Sequence, residues 1–109
     1  MQSVATEFQK IAAGERANNE FEAFLADNIT KKEYDDIRNV LGISPRRWGN
    51  IRINPELMGS DELLYISKLT RTAPIDLFSN FNAGAMLSID ELVAVSKLYH
   101  EALAFMEPR

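Results

Sequence analysis

The arginines of this chain are the residues best placed for chemistry, and the chemistry they suit is the binding of anions. Arg38, Arg46, Arg47 and Arg52 fall in the window 37–55, which holds no Asp or Glu. The chain as a whole is acidic, with a net charge of −4. That balance counts against a nonspecific nucleic-acid binder. A basic patch on an acidic body can still dock on phosphates, with the acidic faces turned away. The plainer alternative is a solvated arginine face on an ordinary helix.

Other chemistries find little support. His100 is the only histidine and there is no cysteine. One histidine makes neither a zinc site nor a nucleophile–base pair. Asp35 and Asp36 are adjacent and should point to different faces of a helix, so they do not form a paired-carboxylate site. There is no Gly-rich phosphate loop. The reading is therefore a protein that is not an enzyme, with no cofactor, no metal and no small-molecule substrate. The longest apolar runs are a few residues, so no membrane partner is expected. The first residues, with Glu7 among them, do not read as a signal peptide, and a cytoplasmic protein is expected.

The elements that must position the arginines read as helices. Phe8, Ile11 and Ala12 mark a first amphipathic stretch, interrupted at Gly14. Phe21, Phe24 and Leu25 mark a second, ending near Asn28. Thr30 with Glu33 is a capping box. It opens a helix with Tyr34, Ile37, Val40 and Leu41 as one buried stripe. Gly42 stops it, being free to take positive φ. Ser44 caps the next helix and Pro45 takes its first position, where a missing N–H costs nothing. Pro55 ends that helix by Asn54. Ser60 caps a helix with Leu63, Ile66, Leu69 and Leu64 inward. Thr72 and Pro74 start a short one with an edge of Ile75, Phe78 and Phe81. Ser88 with Glu91 is a second capping box, opening a long last helix from Ile89 to Met106, stopped by Pro108. No period-2 run is long enough for a strand. The fold class is all-α: a compact bundle of about six short helices with a longer C-terminal one. The expected organisation is a helical domain over 1–84, with a helix-turn-helix at about 30–53, and a C-terminal helix within 85–109.

From Thr30 to Phe78 the chain resembles the lambda-repressor-like, or Cro-like, helix-turn-helix DNA-binding domain. The turn Leu41-Gly42-Ile43-Ser44 carries the first part of the likeness. Trp48 and Ile51, four and seven positions after the cap, carry the second. The third is the order that follows: Asn54-Pro55-Glu56, the helix from Ser60 to Leu69, then Pro74-Ile75-Asp76-Leu77-Phe78. The chain departs from the family at Arg38, where an alanine usually lets the two helices cross closely. The stem of Arg38 is expected to snorkel out of the crossing. Gly49 weakens the second helix by about 0.5–1 kcal/mol relative to Ala.

The resemblance implies roles. Trp48 and Ile51 face inward. Arg46 and Asn50, one turn apart on the opposite face, reach a major groove of double-stranded DNA. Arginine can hold guanine and asparagine adenine, each contact giving about 1–3 kcal/mol of discrimination. Arg47 and Arg52 flank that face and suit phosphates, and Lys31 and Lys32 add phosphate contacts at the start of the preceding helix. Pro45 takes a position the family often uses for a base-reading side chain, so direct readout is thin.

The last helix is apolar on two sides. Leu92, Val95, Tyr99, Ala102 and Met106 should pack on the domain. Val93, Leu103 and Phe105 need another cover, either the first helix of the same chain or the same helix of a second subunit. Repressor-type domains read palindromes as two-fold dimers, so a homodimer through the C-terminal helix is expected. The function these readings imply is a sequence-specific DNA-binding transcriptional regulator. The alternative is a protein-interaction module, antitoxin-like or an assembly protein, on the same scaffold without DNA binding.

Overall fold

A computed structural model describes residues 20–106. The stretch with Phe8, Ile11 and Ala12, its break at Gly14, and the stop at Pro108 lie outside the described residues. Residues 20–106 form an all-helical fold, with six α-helices, one 3-10 turn and no strand among them. They fall into two units, divided between Asn54 and Pro55.

The first unit holds α1 (Glu20–Asn28), α2 (Lys31–Leu41) and α3 (Pro45–Ile53). Glu20 and Glu22 stand in the first turn of α1, where carboxylates suit the positive end of the helix dipole. Phe21 and Leu25 are buried. The Thr30–Glu33 capping box opens α2 with both of its hydrogen bonds formed. Gly42 closes it at φ 67°, and the carbonyl of Arg38 accepts from Gly42 and Ile43. Only a left-handed residue closes the helix this way, which is the use of a glycine here. Ile37 is fully buried. Val40 is not part of the buried stripe: it is 58% exposed. The next residue, Leu41, is half-buried, so the covered face of the helix passes to one side of Val40. The hydroxyl of Ser44 accepts from the N–H of Arg47, and Pro45 occupies the first position of α3. Trp48 and Ile51 are buried. Within this unit, α1 packs on both α2 and α3.

The second unit holds a 3-10 turn (Pro55–Leu57), α4 (Ser60–Thr70), α5 (Pro74–Phe81) and α6 (Ile89–Leu103). Ser60 is the first residue of α4, and Gly59 is its cap, its N–H donating to Glu62 Oε1 at 2.7 Å. The helix α5 turns Leu77 fully inward, while Ile75 on its expected apolar edge is 60% exposed. The Ser88–Glu91 capping box opens α6, and the amide of Ser88 lowers the Glu91 carboxyl below its ordinary value by holding the charged form. Val95 and Tyr99 are buried, and α6 packs on both α4 and α5. The long helix thus belongs to the unit that begins at Pro55. The division expected at residues 84 and 85 lies within that unit, where Gly84 N–H donates to the carbonyl of Pro55 at 3.0 Å.

Candidate nucleic-acid interface

The helix pair α2–turn–α3 carries all the residues expected to meet DNA. Pro45, Arg46 and Asn50 are exposed along one side of α3. Among the described residues, the side chains of Arg46 and Asn50 make no hydrogen bond or ion pair. They stand one helical turn apart, so a single flat partner can touch both. Arg47 is half-buried, and its backbone N–H serves the Ser44 cap.

Lys31, Lys32 and Arg52 are each held by a carboxylate. Lys31 Nζ lies 2.8 Å from Asp35 Oδ2, and Lys32 Nζ lies 2.8 Å from Asp36 Oδ2. Asp36 accepts a hydrogen bond from Lys32 and so raises the pKa of that lysine. The two aspartates do point apart, and each meets its own lysine one turn back. The face of α2 expected to be basic is therefore locally neutral. Exposed pairs of this kind are held weakly and screened by solvent, so either lysine can exchange its aspartate for another anion at small cost.

Arg52 does not flank the outer face as expected. Its Nη1 donates to Glu22 Oε1 at 3.0 Å and to the Tyr34 hydroxyl at 3.1 Å. The Tyr34 hydroxyl donates to Glu22 Oε1 at 2.9 Å. One residue from each helix of the unit thus meets at a buried carboxylate. Burial pushes the Tyr34 phenol well above its ordinary value, and the Glu22 charge pushes it further. Burial works against the Arg52 charge, but Tyr34 and Glu22 outweigh it and raise its pKa. The guanidinium also lies 6.0 Å from the centroid of the Trp48 ring. Trp48 in turn meets Tyr34 edge-on at 5.9 Å. The reason Arg52 turns inward is steric and electrostatic together. It is one turn beyond Trp48 on the buried edge, and a carboxylate waits there.

Arg38 is half-buried, in keeping with a stem that leaves the crossing. With Tyr34, Asp35, Trp48 and Arg52 it lines an open cleft of about 380 Å³ beside α2 and α3. Sequence reasoning missed Glu22, whose partner lies 30 positions away. Its only sequence signal is an acid wedged beside the apolar Phe21 on a short amphipathic helix.

Among the described residues, no cluster of His, Asp or Glu could hold a metal ion, and no helix is long and apolar enough to cross a membrane. No protein-family model, curated protein or solved structure matches the chain.

Proposed function

We propose that this protein is a sequence-specific DNA-binding transcriptional regulator of the phage-repressor-like type, reading the major groove with α3 and acting as a homodimer. The observation that supports it most is the exposed pair Arg46 and Asn50 on a short helix without acidic residues, set behind α2 by a left-handed Gly42 turn. The recognition helix of a helix-turn-helix presents the same design: an inner apolar edge and an outer edge of base-reading side chains. Arg46 suits guanine and Asn50 adenine, and Arg47 beside them suits a phosphate. Lys31 and Lys32 join by leaving their aspartates.

A titration against duplex at two salt concentrations tests this. Each phosphate neutralised contributes about −0.9 to the slope of log affinity against log salt. Arg47 and the two lysines would give a slope near −3 per protomer, and Arg47 alone near −1. Arg46→Ala and Asn50→Ala should flatten the preference among sequences while sparing most of the salt slope. Absence of salt-dependent affinity for any duplex would overturn the proposal.

A second reading draws on the aspartate-neutralised lysines and the inward Arg52. These leave fewer free cations than a phosphate-binding face usually carries. They favour a protein-interaction module on the same scaffold, in which Arg46 and Asn50 meet a protein surface. Salt-independent capture of a protein partner, lost in Arg46→Ala, would support it.

A further inference from the structure

We propose that α6 pairs with α6 of a second copy as an antiparallel seam, with its two-fold axis at the level of Ala94 and Val95. The proposal rests on the homodimer in the reading above, but not on its DNA contacts.

Val95 and Tyr99 turn one side of α6 inward. On the outer side, Ile89 is 78% exposed, Val93 61% and Leu103 39%, and Met86, just ahead of the helix, is 74% exposed. Ser96 is half-buried and His100 exposed on the same side. Residues 89, 93, 96, 100 and 103 recur at spacings of three and four within the helix. That is the spacing of a stripe that stays in register with a facing helix. The stripe is apolar at its ends and small at its middle, where Ser96 lets two helices approach.

Charge selects the second copy and its orientation. Asp90 and Lys97 are both exposed and flank the stripe on the same edge, seven positions apart. In an antiparallel pair that edge meets its own symmetry mate. With the axis at Ala94 and Val95, Asp90 lies about 3 Å along the axis from the level of Lys97 of the second copy, on the same edge and within reach of an ion pair, twice. The same register sets Val93 over Ser96 and Ile89 over His100, each also twice. Sliding one heptad in either direction puts Asp90 against Asp90 or Lys97 against Lys97. A parallel pair instead brings Leu92 and Tyr99 alongside that edge, which offer no charge. Only one register satisfies both the apolar stripe and the charges.

The test uses the full chain. Light scattering should find a dimer whose dissociation constant rises about tenfold in Asp90→Lys and in Lys97→Asp, and returns toward wild type in the double reversal. Circular dichroism confirms that each variant keeps its helices. The chain has no cysteine, so single cysteines report orientation cleanly. An equimolar mixture of Ile89→Cys and His100→Cys proteins should form a mixed disulfide on oxidation. Neither protein alone should link to itself, since like positions then lie about 16 Å apart along the axis. A strict monomer at high concentration overturns the proposal. So does an Ile89→Cys protein that links to itself, or a pair of charge reversals without effect. A duplex titration on the same preparations separates the two ideas: loss of DNA binding with the disulfide pattern intact would refute the regulator and leave the seam standing.

Discussion

Arg52→Ala tests whether this guanidinium belongs to the interior or to the recognition face. Removing one partner of a fully buried, hydrogen-bonded ion pair costs about 3–5 kcal/mol, because the other charge stays buried. The side chain of Glu22 is 6% exposed and that of Arg52 is 34% exposed. Water can therefore reach the space Arg52 leaves, and Glu22 keeps Tyr34 as a donor. The expected cost falls to about 2–3 kcal/mol, including some 0.5 kcal/mol for the lost contact over Trp48. Against a total stability of about 5–15 kcal/mol, that is a large fraction. Trp48 is the only tryptophan and is 6% exposed, so its emission reports the unfolding of this unit. Urea unfolding followed at Trp48 should show a midpoint lowered by roughly 2 M, for a slope of about 1–1.5 kcal/mol per molar. Arg46→Ala, on the exposed face, should change the unfolding free energy by less than about 0.5 kcal/mol. Pairing Arg52→Met with Glu22→Leu removes both charges together. The double variant should recover most of the loss, since an apolar pair of similar volume is often neutral. If Arg52→Ala unfolds no more easily than Arg46→Ala, the guanidinium is a solvated surface group and the inward network contributes nothing. Any loss of duplex affinity in Arg52→Ala must be compared at equal folded fraction, because the substitution acts first on the fold.

Gly49→Ala should stabilise the chain by about 0.5–1 kcal/mol in the same urea assay. An added Cβ meets only the end of the Arg52 side chain, at 3.8 Å. Gly84→Ala should do the reverse, at a cost of about 1–3 kcal/mol. Its φ is +74° and its Cβ would lie 2.9 Å from Leu63 Cδ2, in the core of α4. Tyr34 makes the fold sensitive to alkali. Its pKa is raised in the folded state, so its contribution is complete below the ordinary value of 10.0 and is lost as pH rises above it. Stability should fall more steeply above that pH in the wild type than in Tyr34→Phe. Glu91 gives the opposite sign. Its pKa is lowered, so its contribution is present above the ordinary 4.5 and is lost as pH falls below it. Glu91→Gln should remove that part of the acid sensitivity of α6, read by helical signal against pH.

The parts of the fold that local chemistry controls were legible. Thr30 with Glu33, Ser44 with Pro45 and Ser88 with Glu91 each mark a helix start within four residues, and each is formed. Gly42 is legible because its conformation excludes most other residues. Periodicity identified Ile37, Ile66 and Leu63 as core, but it overreached at Val40 and Ile75 and passed over Leu77. A stripe records which residues share a face, not how much of that face a neighbour covers. The division at Pro55 was not legible, because it depends on which helices α6 packs against. The candidate site shows the same contrast. The spacing of Lys31 with Asp35 and Lys32 with Asp36 is visible in the sequence. Counting charge only over 37–55 left both pairs out. The meeting of Glu22, Tyr34 and Arg52 requires three helices to be placed first, and no spacing rule connects residues 30 positions apart.

That meeting changes what the basic window means. Four arginines without a nearby acid look like one patch, yet folding sorts them into different environments. Arg46 faces solvent, Arg38 lines a cleft, Arg47 is half-buried and Arg52 joins a buried acid. The positive charge available to an anion is thus smaller than the sequence suggests, and it is concentrated at the start of α3. In the proposed regulator this has a mechanical consequence. Phosphates held by few cations give weak nonspecific binding, so affinity must come from base contacts at Arg46 and Asn50 and from having two subunits on one duplex. The inner network serves that need by tying α3 to α1 and α2, since a base-reading pair one turn apart is useful only on a helix that does not roll. Loosening Glu22 or Tyr34 should therefore blur sequence preference before it lowers nonspecific affinity. A Tyr34→Phe protein, compared on matched and mismatched duplexes at a salt concentration where both bind, should lose discrimination while keeping its salt slope. Equal losses on both duplexes would mean that the network supports the fold but does not set the reading edge.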